Sequence, residues 1–307
     1  MRAGAREPRN QKREIGSARC RQSSSSDCGA LSRLWSLAVI IVAGLLLAAC
    51  EQATVGVQPP VTVTIAGSTA MQPVLLDLTA AYTEQHPNIV FDVRQGGSTL
   101  GEEWVQDGRI DVAASTLLPP SAAIDATALL RTPIGLDGIA VIVHPDNPAA
   151  ALTAAELRDL YTGRLLNWSA LGGRDEDVLL VSREDGSGTR RHFEARITGD
   201  EAAALTSIVM PTSAAVVEYV AAHPGAIGYV TRAYLPPPSD GSSGPVDERV
   251  RMLAIDGLLP TDEALSQQAY PLPQPLDLIA QDRPDSVVRS FVDYALSPAG
   301  QEVVARY

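Results

Sequence analysis

Four times in this chain a short apolar run ends in serine or threonine. Residues 61–66 lead into Gly67-Ser68-Thr69, and residues 89–93 into Gly96-Gly97-Ser98-Thr99. Residues 110–114 lead into Ser115-Thr116, and residues 178–181 into Arg183-Glu184-Asp185-Gly186-Ser187-Gly188-Thr189. Runs this short and β-branched predict buried strands. Helical spacing follows them: Met71, Val74, Leu75, Leu78 and Tyr82 after the first, Leu100, Trp104 and Val105 after the second, and residues 190–197 after the last. Strands alternating with helices predict an α/β fold. In open sheets of that class ligands bind outside the carboxyl ends of the strands. Any one hydroxyl there reads as a capping residue; four together predict a site for a polar ligand.

The turn at residues 183–189 carries the most chemistry. It aims backbone N–H groups, two hydroxyls and one guanidinium at a single point, at the start of a helix. Helix N-terminal amides and the helix dipole favour negative charge. Gly186 and Gly188 allow close approach of the backbone. The composition suits a small oxyanion.

Further along, residues 121–130 predict a helix. Residues 132–143 form an apolar run too long for an ordinary strand, which predicts a crossing between two lobes. Thr153 with Glu156 three residues on predicts a capping box, and Gly163 ends that helix. Helices are predicted at 213–222 and 285–307, the second broken at Ser297-Pro298, and a strand at 225–230. Residues 236–247, rich in Pro, Gly and Ser, predict a mobile surface loop. Residues 270–279, extended and proline-spaced, predict a second crossing. No internal repeat is visible.

The first 50 residues carry eight Lys/Arg and three Asp/Glu, then sixteen uncharged residues at 34–49, then Cys50. That order is a signal peptide, and the apolar run is short for a bilayer span. Leu47-Ala48-Ala49-Cys50 resembles the lipobox of bacterial lipoproteins, which implies cleavage before Cys50 and a lipid on its sulfur. Cys20 and Cys28 leave with the signal, so the mature chain has no disulfide. It keeps 16 basic and 33 acidic residues. Such an acidic surface argues against nucleic acid and against anionic membranes as partners. A bound anion must then be held by local dipoles and one or two arginines. Residues 51–60 read as a tether.

Several stretches resemble the phosphate-binding receptors of bacterial phosphate ABC transporters, the PstS-type periplasmic binding proteins. They are Ala66-Gly67-Ser68-Thr69-Ala70, Gly96-Gly97-Ser98-Thr99, residues 108–115, Leu136-Asp137-Gly138-Ile139, Tyr161-Thr162-Gly163, Arg183 through Thr189, residues 225–230, Tyr270-Pro271-Leu272 and Ser297-Pro298-Ala299. Arg-x-x-Gly-Ser-Gly-Thr is the most specific. The resemblance implies a two-lobed type II periplasmic-binding-protein fold with two hinge crossings. One lobe comprises residues 61–138 and 258–307, the other 139–257. It implies an extracytoplasmic, lipid-anchored receptor, monomeric, that captures inorganic phosphate for a permease, with no cofactor, no metal and no enzymatic activity. The implied phosphate residues are Ser68, Thr69, Ala70, Ser98, Ser115, Thr116, Arg183, Ser187, Gly188 and Thr189, with Asp185 orienting Arg183 and Asp111 structural. Where some relatives place an Asp acceptor for a protonated phosphate oxygen, this chain has Thr116.

Two alternatives stand beside that reading. One is a receptor for another tetrahedral oxyanion: sulfate, molybdate or tungstate. The other is a hydrolase using Ser187 or Ser68, which needs an adjacent base. His86, His144 and His223 each precede a proline. His192, on the helix after Thr189, is expected to be exposed. No Gly-x-Ser-x-Gly elbow and no metal-ligand cluster is present.

Overall fold

The computed structural model describes residues 59–118, 129–235 and 248–307. The signal segment with Cys50, most of the tether, most of the helix expected at 121–130, and the loop at 236–247 lie outside the described residues. Among those described, no helix is long and apolar enough to cross a membrane.

The first half of the chain builds β1 (Val61–Gly67), a 3₁₀ turn (Thr69–Met71), α1 (Gln72–Gln85), β2 (Ile89–Gln95), α2 (Ser98–Gln106), β3 (Val112–Ser115) and β4 (Leu129–Val143). Then come β5 (Ala151–Leu152), α3 (Ala154–Tyr161), β6 (Leu179–Arg183), α4 (Gly188–Ile197), β7 (Ile208–Met210), α5 (Ser213–Ala222) and β8 (Ala226–Thr231). The chain closes with β9 (Arg251–Ile255), α6 (Asp262–Ser266), β10 (Pro273–Gln281), α7 (Ser286–Leu296) and α8 (Pro298–Val304). The expected helix at 121–130 gives way at its end, because Leu129 and Leu130 already pair with β10 as the start of β4.

The sheet runs β2-β1-β3-β10-β4-β8-β6-β7. β1 pairs in parallel with β2 and β3, and β6 in parallel with β7 and β8. Two parallel halves are thus joined through β10 and β4, which run antiparallel to each other and to their outer neighbours β3 and β8. β4 is one fifteen-residue strand. It pairs with β10 as far as Gly138 and with β8 from Ile139 onward. The long apolar run therefore does cross, as one continuous strand that changes partners midway.

Each half has its own core. Val63, Ile65, Leu75, Leu78, Tyr82 and Phe291 lead one. Tyr161, Trp168, Phe193 and Tyr229 lead the other, where the Phe193 and Tyr229 rings stack at 4.0 Å. The capping box at α3 forms: the Thr153 hydroxyl accepts from Glu156 N (3.1 Å) and Glu156 accepts from Thr153 N (2.7 Å). Ser297 caps α8 by accepting from Gly300 N.

In α2 the inward residues are Ser98, Gly101 and Val105, whereas Leu100 and Trp104 are only partly buried. The helix lies so close to the end of β1 that a Cβ on Gly101 would sit 2.7 Å from the Gly67 Cα and 2.8 Å from the Ala66 carbonyl oxygen. That approach sets the N-terminus of α2 beside the first hydroxyl turn. Asp111 braces β1 from below, accepting from the amide (2.7 Å) and hydroxyl (2.6 Å) of Thr64.

Candidate functional site

Three buried hydroxyls from the β2-β1-β3 half meet at one point. The Ser68 Oγ lies 3.3 Å from the Thr116 Oγ1, and the Ser98 Oγ lies 3.3 Å from the same atom. The Thr116 amide donates to the Ser98 Oγ at 3.1 Å. The first turn of α4, from the other half, faces them. A Cβ on Gly188 would run into the Thr116 Oγ1, and would stand 2.7 Å from the Ser98 Oγ. The absence of a side chain at Gly188 is what lets the two halves come together here.

Ser187 is the N-cap of α4, its hydroxyl accepting from Arg190 N at 3.3 Å. Thr189 is buried, and its hydroxyl has no hydrogen-bond partner among the described residues. The Thr99 amide, in the first turn of α2, donates to the Gly186 carbonyl at 3.2 Å. The N-termini of α2 and α4, one from each half, therefore converge. Both bring positive dipole ends and spare donors to one small volume.

Arg183 ends β6 and is 1% exposed. Its Nη2 donates to the Thr69 Oγ1 and its Nη1 to the Ser213 Oγ, each at 2.8 Å. Its other edge is held by Glu184, at 3.0 Å to each carboxylate oxygen. This corrects the expected role of Asp185. That side chain is 94% exposed at the tip of the turn and pairs with Arg190 instead. Arg190 also donates to the Arg183 carbonyl at 2.9 Å and to Glu194 at 2.7 Å, so it ties the turn to α4.

Thr69 sits in the 3₁₀ turn with Ala70, whose polar atoms are backbone only. The Tyr234 hydroxyl donates to the Thr69 carbonyl at 2.8 Å. Burial pushes that phenol up to about 12, so it remains a donor at neutral pH.

Ser115 does not join the cluster. Successive strand residues point to opposite faces, so Thr116 turns toward Ser98 while the Ser115 hydroxyl donates to Glu102. Glu102 also pairs with Arg131 (2.7 Å), and Arg131 with Asp277 (2.8 Å). This ionic network lies behind the strand end rather than at the hydroxyl cluster.

Ser213 was missed by sequence reasoning. It opens α5 after the short strand β7, so Pro211-Thr212-Ser213 is a fifth strand end bearing hydroxyls. That was the available signal.

His192 is 3% exposed, not exposed as expected. It lies one turn beyond Gly188 on the face of α4 that meets the other half. The Thr116 backbone faces the ring, but among the described residues neither ring nitrogen makes a hydrogen bond of sound geometry. Burial, with the charge of Arg196 adding to it, lowers the imidazole to about 4. Unfolded, it titrates near 6.5. Between those values the unfolded chain binds a proton that the folded chain refuses. Stability from this group is therefore complete above about pH 6.5 and is lost as pH falls toward about 4. Thermal unfolding of the ligand-free protein across that window should show a shallower pH dependence in His192→Gln than in the wild type; superimposable profiles would refute the assignment.

Among the described residues no group of three His, Cys, Asp or Glu side chains is placed to hold a metal ion. The site is a set of hydroxyls, amides and one guanidinium, with Glu184 turned onto the guanidinium. Chemically it can grip an oxyanion.

Comparison with known proteins places the chain among binding proteins. Residues 53–299 match the family model described as the PBP superfamily domain. The phosphate-binding protein PstS of Bacillus subtilis is 32% identical over 237 residues, covering 77% of this chain and 75% of that one. A phosphate ABC transporter substrate-binding protein from Clostridium perfringens, solved with bound phosphate, superposes with a TM-score of 0.72 at 30% identity, over 80% of this chain and 97% of that one. An ABC-type phosphate transport receptor from Vibrio cholerae superposes with a TM-score of 0.63 at 25% identity, over 80% and 98%.

Proposed function

The chain belongs to the PBP superfamily and, within it, to the PstS-type phosphate-binding proteins, and from that premise we propose how it works. It is the substrate-binding protein of a phosphate ABC transporter, not an enzyme. It captures inorganic phosphate between two lobes, residues 61–138 with 258–307 and residues 139–257, that close by a hinge at β4 and β10. The cradle comprises Ser68, Thr69 and Ala70, Ser98 and Thr116 on one side, and Arg183, Ser187, Gly188 and Thr189 on the other. Glu184 takes the supporting role first expected of Asp185. The closed receptor delivers phosphate to a permease as a monomer.

One observation carries this reading: buried donors of both halves converge on Arg183 and the α4 N-terminus, and the Thr189 hydroxyl has no partner among the described residues. A buried hydroxyl without a bond costs free energy that an anionic acceptor would offset. The hydrolase alternative lacks support, because among the described residues no histidine, the buried His192 included, hydrogen-bonds Ser187 or Ser68.

Location follows the N-terminal pattern. The protein works outside the cytoplasm, anchored by lipid on Cys50. Cys50→Ser should abolish incorporation of labelled fatty acid and release the protein from membranes; a labelled mutant would overturn the anchor.

The alternative of another tetrahedral oxyanion turns on Thr116. Near neutral pH phosphate keeps a proton and sulfate has none. A carboxylate acceptor rejects sulfate, whereas a hydroxyl both donates and accepts. Calorimetric titration should show phosphate bound in preference to sulfate, with a margin that widens in Thr116→Asp. A wild type that prefers sulfate, or a substitution that leaves the ratio unchanged, would count against this account of discrimination.

A further inference from the structure

Counting protons and lone pairs around Arg183 leaves one donor over. The Thr69 Oγ1 accepts from the Arg183 Nη2 (2.8 Å) and from the Ser213 amide (3.3 Å). A hydroxyl oxygen has two lone pairs, so Thr69 accepts nothing more. The Ser213 Oγ accepts from the Arg183 Nη1 at 2.8 Å and lies 3.5 Å from the Thr69 Oγ1. Between the two hydroxyls, only Thr69 is then free to donate. That leaves the proton of Ser213 without an acceptor among the described residues. Ser213 is fully buried, and a hydroxyl polarised by a guanidinium is a strong donor that buried surroundings do not leave unpaired.

Ser213 is also not needed where it would be an ordinary helix residue. The N-cap of α5 is Thr212, whose hydroxyl accepts from Ala215 N at 3.1 Å. The Ser213 side chain is thus free of the capping role, and its amide points at Thr69 rather than into the helix. A third helix N-terminus, beside those of α2 and α4, is aimed at the same point.

We propose that Ser213 is a ligand residue of this site, donating its hydroxyl proton to an oxygen of the same phosphate that Arg183 holds. The assignment rests on the phosphate reading above. It adds α5 to the elements that read the ligand.

The test is calorimetric titration of the lipid-free mature protein with inorganic phosphate, paired with melting temperatures without ligand. Ser213→Ala should weaken phosphate binding about tenfold or more, the worth of a hydrogen bond to a charged group. Its ligand-free melting temperature should fall modestly, because the Arg183 Nη1 loses its acceptor, and Ser213→Thr should restore most of the affinity. Thr212→Ala should lower the melting temperature through the lost cap, with affinity changed less than in Ser213→Ala. A direct contact also predicts that Ser213→Ala still costs at least threefold in an Arg183→Lys background. If that step vanishes there, Ser213 acts only through Arg183 and the contact is overturned. Wild-type affinity in Ser213→Ala overturns the proposal outright. A wild-type protein that binds no phosphate would instead overturn the phosphate reading, and this assignment with it.

Discussion

Arg183→Ala should weaken phosphate binding about thirtyfold at least, and by as much as a few thousandfold, in calorimetric titration. Truncating one partner of a buried, hydrogen-bonded charge pair costs on the order of 2–5 kcal/mol, which spans that range. Arg183 meets the condition: it is 1% exposed, and every neighbour it bonds is polar. Its removal also does more than delete a donor. Glu184 keeps its charge but loses both contacts to the guanidinium. A bare carboxylate then faces the incoming anion, so repulsion adds to the lost attraction. Glu184→Ala should weaken binding less than Arg183→Ala, because the cation survives without its brace. Asp185→Ala should leave affinity near wild type, since its carboxylate sits in solvent on Arg190. The order Arg183, Glu184, Asp185 is the checkable content. Equal losses at Glu184 and Asp185, or an Arg183→Ala protein that is folded and binds as before, would place the charge elsewhere.

That order could not be read from the sequence. Glu184 and Asp185 are adjacent carboxylates in one turn, and which of them folds back depends on the backbone path. The same limit explains Ser115. Two neighbouring hydroxyls end β3, and only the phase of the strand decides that Thr116 faces the cluster while Ser115 faces Glu102. Composition names both; pleat geometry chooses one.

His192 failed for a different reason. The buried face of α4 comprises Gly188, Thr189, His192, Phe193 and Ile197. Most of that stripe is small or polar, so it reads as solvated. Contact with the opposing half buries it, and hydrophobic periodicity carries no information about a surface made by a second set of elements. Ser213 shares this cause, because its partner Thr69 is 144 residues away.

What was legible followed from local rules. Strand–turn–helix alternation gave β1 to α2 and β6 to α4 nearly to the residue, because apolar runs, glycine turns and caps act over a few positions. The first crossing was legible because its apolar run is too long for one sheet half, and the second because its extended, proline-spaced sequence suits a strand rather than a helix. The strand ends lie together with Ser115 turned away, since the sheet brings its carboxyl edges together whatever their distance in sequence.

Gly188→Ala should nearly abolish phosphate binding while leaving the protein folded. Gly188 is the first residue of α4 and does not occupy the left-handed region, so its backbone accepts an alanine without strain. Alanine is a good helix former at that position. The added methyl meets its obstacle only across the interface. It would collide with the Thr116 Oγ1, lie 2.7 Å from the Ser98 Oγ, and lie 2.9 Å from the Thr116 carbonyl carbon. The last of these is backbone at the end of β3 and cannot rotate away. The two hydroxyls are held by each other and by the Thr116 amide. Relief therefore requires the opposing half to withdraw, which separates the donors that must touch one anion together. Affinity should fall about a hundredfold or more, as expected when only a small fraction of molecules reaches the binding-competent state. Small-angle scattering should show the wild type compacting on phosphate saturation and Gly188→Ala remaining at its ligand-free dimensions. Gly186→Ala is the control, because a Cβ there would find only the Thr99 Cβ at 3.9 Å, an ordinary contact. It should bind phosphate within a few-fold of wild type. If Gly188→Ala binds and compacts like the wild type, the halves do not meet at this glycine when phosphate is bound, and the site must be assembled from other contacts.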